Sequence, residues 1–160
     1  MAAADRILEV GCGPGVAVAL VCDRLGTGHG RITAIDRSPT AIERTRARNA
    51  DHVGARRAVL RQVDLGGYKG APAQFDKAFA VDVDVFWTTP ADPECTVLAR
   101  VLRPGGVVRL VYAIPDPGAA SVRDVGAAVA ANHERHGFTT ERLRGPPAAA
   151  AICITGRLKP

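Results

Sequence analysis

Short apolar runs alternate with amphipathic segments along most of the chain. The runs are nearly continuous, as in strands covered on both faces, and the segments between them have helical spacing. The predicted strands are Arg6–Val10, Arg31–Ile35, Ala58–Val63, Phe75–Val81 and Gly106–Ile114. The predicted helices are Gly15–Leu25, Ser38–Asn49, Pro90–Leu102 and Ser121–His136. This alternation indicates parallel βαβ units with helices on both faces of one sheet.

The C-terminal segment has a different pattern. Phe138–Leu143 and Ala150–Leu158 alternate as strands do, and Gly145-Pro146-Pro147 between them predicts a turn. These two strands therefore form a predicted antiparallel pair at the end of the otherwise parallel sheet. The glycine-rich segment Gly66–Gln74 predicts a loop in which a short helix is the alternative.

A glycine-rich loop follows the first strand. Its glycines are Gly11, Gly13 and Gly15, so the third comes only four positions after the first. Glycine adopts left-handed backbone angles and lets the main chain approach a ligand closely, and the N–H groups of the next helix face the same ligand. The dinucleotide fingerprint has a longer spacing. The loop therefore favours a different adenosine ligand over a pyrophosphate.

The segment Glu9-Val10-Gly11-Cys12-Gly13-Pro14-Gly15 resembles the first motif of the class I S-adenosylmethionine-dependent methyltransferases. Later landmarks occur in the order of that family: Asp36, Asp64-Leu65, Phe75–Val81 and Val101–Gly106. The resemblance implies an α/β fold, a Rossmann-like doubly wound and mostly parallel seven-stranded sheet with a C-terminal antiparallel pair. It also implies methyl transfer from S-adenosylmethionine, with S-adenosylhomocysteine as the product.

The candidate cofactor residues lie at strand ends, which meet in one crevice of an open α/β sheet. Asp36 follows Gly11 by 25 positions, and its carboxylate is predicted to accept hydrogen bonds from both ribose hydroxyls. The resemblance implies that Asp64 and the Leu65 N–H bind adenine. Glu9 is predicted to orient the loop and receive the ligand's ammonium. The full predicted set is Glu9, Gly11, Cys12, Gly13, Pro14, Asp36, Arg37, Asp64, Leu65, Val81 and Asp82.

Several of these residues have an alternative interpretation. Cys12 is expected to pack beneath the cofactor rather than act as a nucleophile. The stem of Arg37 either covers the adenine face or points to solvent. Asp82 and Asp84 either attract the sulfonium, or one of them serves the acceptor as a base, or both are ordinary carboxylates at a strand end. Phe86 and Trp87 either wall the pocket or pack in the core, and no catalytic residue is assigned.

Composition narrows the function classes. The length of 160 residues suits one domain, 1–160, and the net charge is +5. Arginine supplies 18 of the 21 basic residues, but these are spread along the chain without interleaved aromatics, so a nucleic-acid acceptor is the minority alternative.

The four cysteines form no Cys-x-x-Cys pair and are expected to be reduced. The histidines suggest no metal site, and the N-terminus resembles no signal or membrane segment, which predicts a cytoplasmic protein.

The sequence departs from the family's pattern at its N-terminus. Members usually carry helices before the first strand that cover the cofactor, whereas five residues precede Arg6 here. A lid is therefore expected to be lacking, and a homodimer or partner chain could close the pocket. The leading interpretation is a methyltransferase that acts on a small-molecule acceptor. The alternatives are a non-catalytic or partner-dependent S-adenosylmethionine-binding module and, less favoured, an NAD-dependent oxidoreductase.

Overall fold

A computed structural model describes residues 1–113, 120–144 and 151–160 of the chain. The strands are β1 Arg6–Val10, β2 Arg31–Asp36, β3 Ala58–Gln62, β4 Phe75–Val81, β5 Leu102–Ala113, β6 Phe138–Arg144 and β7 Ala151–Leu158. The helices are α1 Val16–Leu25, α2 Pro39–Arg48, α3 Ala50–Gly54, α4 Val85–Thr88, α5 Asp92–Val101 and α6 Ala120–Arg135.

The strands form one seven-stranded sheet in the order β3-β2-β1-β4-β5-β7-β6. The pairs from β3 to β5 are parallel, whereas β7 is antiparallel to both β5 and β6. The predicted mostly parallel sheet with a C-terminal antiparallel pair is thus confirmed. Because β1 lies between β2 and β4, the strand order reverses beside β1, and ligands bind at such points in α/β sheets.

Apolar side chains cover both faces of the sheet. Successive residues of a strand point to opposite faces, and in β1 Leu8 belongs to one buried cluster while Ile7 belongs to another. The first cluster includes Leu98 of α5 and Val129 of α6, and the second lies against α1 and α2. Burial on both faces explains why these strands read as continuous apolar runs.

Helix α2 shows why its ends could be read from the sequence. The side chain of Ser38 accepts a hydrogen bond from the Ala41 N–H, and Pro39 occupies the first turn, where its missing N–H costs nothing. At the other end the Asn49 N–H donates to the Thr45 carbonyl.

Several boundaries differ from the predicted ones. The structure adds two short helices, α3 directly after α2 and the single turn α4. The segment Val101–Gly106, which the resemblance implies is the turn before the fifth strand, lies mostly within β5. Leu102 already pairs with Phe75 of β4, and the pairing resumes at Val107 after a register shift. The predicted loop Gly66–Gln74 is confirmed, since these described residues form turns and irregular structure, and the alternative of a short helix is not present in them. The predicted turn Gly145-Pro146-Pro147 lies outside the described residues.

The described residues contain no helix that is long and apolar enough to cross a membrane. In the same residues there is no group of three or more potential metal ligands. All four cysteines are free, and Cys153 alone among them is not fully buried.

Candidate functional site

A cavity of about 580 Å³ lies at the carboxyl ends of β1 to β4, beside the reversal of strand order. Its volume is typical of small-molecule pockets. The described lining residues are Val10, Gly11, Ile35, Asp36, Arg37, Val63, Asp64, Leu65, Val81, Asp82, Val83, Asp84, Val85, Thr88, Thr89 and Glu94. Five of these side chains are carboxylates and one is a guanidinium. The cavity is therefore acidic, although the chain carries a net charge of +5.

The loop between β1 and α1 forms one wall of the cavity. Gly11, Gly13 and Gly15 have φ angles of +72°, +50° and +77°, which other residues rarely adopt. A Cβ at Gly11 would come within 2.7 Å of Cγ2 of Val83. The loop backbone thus packs against the Val83 side chain, and any larger residue at position 11 would displace that side chain and strain the backbone.

Asp36 connects this loop to α2. Its Oδ2 accepts a hydrogen bond from the Gly13 N–H at 3.0 Å, and its Oδ1 accepts one from the Ser38 N–H at 2.9 Å. The side chain also lines the cavity, next to the exposed Arg37. Asp36 therefore holds the loop in addition to facing the space where the predicted ribose would lie.

Asp64 and Leu65 lie beyond the end of β3. Oδ1 of Asp64 accepts a hydrogen bond from the Gly67 N–H at 2.7 Å, which closes a tight turn. Asp64 is exposed and Leu65 is buried in the core, and both line the cavity. Asp64 thus both closes a strand-end turn and lines the cavity.

Val81 and Asp82 form the end of β4. Asp82 has a φ of +52°, its N–H donates to the Val111 carbonyl, and its Oδ1 accepts from the Ala113 N–H at 2.8 Å. The residues after this left-handed turn line the cavity as well, among them Asp84. Asp82 and Asp84 thus face the same cavity as the glycine loop.

Glu9 is located differently from the other predicted carboxylates. It is 4% exposed, it is not among the lining residues, and its Oε2 has no hydrogen-bond partner among the described residues. Burial, and secondarily the charge of Asp36, raise the pKa of Glu9 from 4.5 to about 8. Burial therefore favours the protonated form of Glu9 near neutral pH.

The remaining predicted loop residues do not line the cavity with their side chains. Cys12 is buried, its Sγ lies 3.5 Å from Oγ1 of Thr45, and burial raises the pKa of its thiol. Its environment favours packing over nucleophilic attack, because the thiolate is the nucleophile. Pro14 is exposed and its carbonyl accepts a hydrogen bond from Nε of Arg48 at 2.9 Å.

The structure also separates the two aromatic candidates. Phe86 is fully buried, and its ring lies 5.6 Å from that of His133 between centroids. Trp87 is 39% exposed and is not among the cavity-lining residues. Phe86 therefore packs in the core and does not form a wall of the cavity.

Sequence reasoning did not identify three polar residues of the cavity, Thr88, Thr89 and Glu94. Glu94 lies in the first turn of α5 and the threonines lie at the end of α4. None belongs to a strand end or a recognisable motif. Only the packing of α4 and α5 beside the sheet brings these side chains to the cavity.

These residues fit a nucleoside ligand that carries a cationic group. The glycine backbone leaves room for close approach, and Asp36 and Asp64 offer acceptors for hydroxyl and amine donors. The acidic lining favours a cation, and the orphaned oxygen of Glu9 provides a buried acceptor near the loop.

A protein-family model described as a methyltransferase domain matches residues 7–106. No curated protein matches the sequence. Solved structures show the same fold at low identity. A SAM-dependent methyltransferase from Aquifex aeolicus has a TM-score of 0.78 at 14% identity, with 96% of this chain and 82% of that chain covered.

Two further structures indicate how varied proteins of this fold are. The cyclase SpnF has a TM-score of 0.74 at 17% identity, covering 98% of this chain and 75% of its own. A putative methyltransferase in complex with the Haloferax volcanii Trm112 methyltransferase activator has a TM-score of 0.73 at 15% identity, covering 98% and 83%. This chain covers 51% of the length of a further similar structure, the S-adenosylmethionine-dependent methyltransferase SibL in its apo form.

Proposed function

The chain belongs to the class I S-adenosylmethionine-dependent methyltransferase family, and we propose that its acidic cavity binds S-adenosylmethionine for methyl transfer to a small-molecule acceptor. The observation that carries this proposal is the joint position of the glycine loop and five carboxylates at the carboxyl ends of the parallel strands. A cationic nucleoside is the ligand class that such a cavity favours.

The proposed cofactor site uses the residues that the sequence predicted. Asp36 binds the ribose hydroxyls, and Asp64 and the Leu65 N–H bind adenine. Glu9 receives the ammonium group, whose positive charge would favour the ionised form of this buried carboxyl. Asp82 lies toward the methionine end of the ligand. The other proposed members are Gly11, Cys12, Gly13, Pro14, Arg37 and Val81.

When bound, the cofactor supplies a methyl group on a sulfonium that is already a good leaving group. Positioning can then provide much of the catalysis, and no dedicated catalytic side chain is needed. The glycine loop and Asp36 orient the nucleoside, while Asp84, Thr88 and Thr89 line the part of the cavity proposed for the acceptor. The chain's residues therefore act mainly by binding and orienting.

A second candidate is a cofactor-binding module that depends on a second chain, either another copy or a partner. The similar structure in complex with an activator supports it, as do the longer chains of some neighbours. Cofactor binding without turnover by this chain would favour the module. Turnover by the isolated chain would favour the methyltransferase.

Calorimetric titration with S-adenosylmethionine, S-adenosylhomocysteine and NAD tests the proposal. We expect micromolar binding of the first two and none of NAD, because the glycine spacing differs from the dinucleotide fingerprint. Asp36→Asn should weaken binding by about 1 to 3 kcal/mol through loss of charged hydrogen bonds. Glu43→Gln, which alters an exposed carboxylate of α2, is the matched control.

Preferential binding of NAD would revive the oxidoreductase alternative. Absence of binding by all three ligands would contradict the proposed function. A salt-dependent affinity for RNA would instead support the minority interpretation of a nucleic-acid acceptor.

A further inference from the structure

Two side chains of α2 and that of Asn49, the residue directly after this helix, contact consecutive carbonyls of the glycine loop. Oγ1 of Thr45 donates to the Gly13 carbonyl at 2.8 Å, and Nε of Arg48 donates to the Pro14 carbonyl at 2.9 Å. Nδ2 of Asn49 donates to the Gly15 carbonyl at 3.0 Å. Residues spaced three and four apart share one helix face, so the last turn of α2 and its C-cap residue bind all three carbonyls together.

The contact is close and mostly buried. Thr45 is 0% exposed and Asn49 is 2% exposed. A Cβ at Gly15 would lie 2.7 Å from Nδ2 of Asn49 and 2.8 Å from Cα of Thr45. The loop therefore lies directly on the helix, and only a glycine at this position allows the approach.

Asp36 holds the same loop from another side. It binds the Gly13 N–H while Thr45 binds the Gly13 carbonyl. The peptide groups on both sides of Gly13 are thus fixed by side chains from outside the loop. Because the three loop glycines are the residues with the greatest backbone freedom, such contacts remove the conformational entropy that a ligand would otherwise have to remove.

We propose that Thr45, Arg48 and Asn49 form a loop clamp that presets the glycine loop for the cofactor. These are positioning residues, because none of them lines the cavity. The inference rests on the proposed function, since it concerns affinity for the same adenosyl ligand. It adds determinants of affinity that do not line the cavity.

Matched variants test the loop clamp. Thr45→Val removes the hydroxyl at nearly constant volume, whereas Thr45→Ser keeps it. Arg48→Ala removes an exposed side chain, so the protein should fold, and Arg46→Ala makes the same charge change at another exposed position of α2. S-adenosylhomocysteine affinity is measured by calorimetry, and amide hydrogen exchange of Gly13 and Gly15 is measured without ligand.

We expect Thr45→Val and Arg48→Ala to weaken S-adenosylhomocysteine binding by up to about tenfold each, because the ligand must then supply the loop ordering that the lost hydrogen bond provided. Both should also accelerate exchange of the loop amides. Thr45→Ser and Arg46→Ala should bind within about twofold of the wild type. If the Thr45 side chain acted only through packing, Thr45→Ser would also weaken binding, and a general charge effect would weaken binding by Arg46→Ala.

The two proposals fail differently. If the wild type binds and Thr45→Val and Arg48→Ala bind equally well, the loop clamp is refuted and the proposed function stands. If the wild type itself does not bind, the proposed function fails and the role of the loop clamp in affinity fails with it.

Discussion

Replacement of Glu9 by glutamine should change how stability depends on pH. Glu9 lies in β1, is 4% exposed and has an oxygen without a hydrogen-bond partner among the described residues. Burial first, and the charge of Asp36 second, raise its pKa from 4.5 to about 8. Glutamine has the same shape and cannot ionise, so Glu9→Gln isolates the effect of this proton.

The sign follows from proton binding in the two states. Between pH 4.5 and about 8 the folded protein retains the Glu9 proton while the unfolded chain loses it. The folded state binds more protons, so the free energy of unfolding falls as pH rises. The stabilisation is fully present below pH 4.5 and is lost as pH approaches about 8.

The magnitude follows from the size of the shift. Each pKa unit corresponds to about 1.4 kcal/mol, so the shift from 4.5 to about 8 corresponds to a total of about 5 kcal/mol. The Glu9→Gln variant should therefore gain up to about 1.4 kcal/mol relative to the wild type for each pH unit in this range, and the gain should level off above pH 8.

Urea unfolding followed by circular dichroism measures this difference between pH 5 and pH 9. We expect the wild-type and Glu9→Gln stabilities to diverge as pH rises. Parallel pH profiles would refute the reasoning, since they would mean that Glu9 ionises equally in the folded and unfolded chains.

Three further predictions concern the loop and the core. Gly11→Ala should destabilise the fold by about 1 to 3 kcal/mol more than Gly13→Ala, as urea unfolding would show, because both positions have positive φ but only the first Cβ meets Val83; equal losses would contradict this. Phe86→Ala should cost about 3 to 5 kcal/mol in the same assay, since the ring is fully buried, and a loss below about 1 kcal/mol would be inconsistent with that packing. Burial lowers the pKa of His133 from 6.5, so stability should fall as pH drops below 6.5 and His133→Leu should flatten that acid limb in thermal scans; an unchanged acid limb in the variant would argue against it.

The sequence contained the information for the sheet and for the residues at its strand ends. Continuous apolar runs predicted the buried strands, and the positions of Asp36 and Asp64 predicted which carboxylates meet at the cavity. This worked because parallel strands bring their carboxyl ends to one edge whatever the detailed packing.

Contacts between elements distant in sequence were not predictable in this way. Thr45 and Asn49 look like ordinary polar residues of an amphipathic helix, and their spacing gives no sign that they bind the loop. Glu94 reaches the cavity only because α5 packs beside the sheet. The burial of Glu9 likewise depends on which face of β1 is covered and by what, which periodicity does not reveal when both faces are buried.

Short irregular elements were also missed for a physical reason. The single turn α4 and the five-residue α3 are too short to show helical periodicity. The start of β5 at Leu102 depends on its pairing with Phe75 of β4, which is a long-range contact. Local sequence therefore predicted the main elements better than their junctions.

The most direct test of the central claim is to map S-adenosylhomocysteine binding by amide chemical-shift changes in the isotopically labelled chain. The account predicts that the largest changes occur at Gly11, Gly13, Asp36, Asp64 and Leu65, around the acidic cavity. Absence of shift changes at saturating ligand, or changes confined to the separate pocket lined by Leu20 and Phe79, would contradict it.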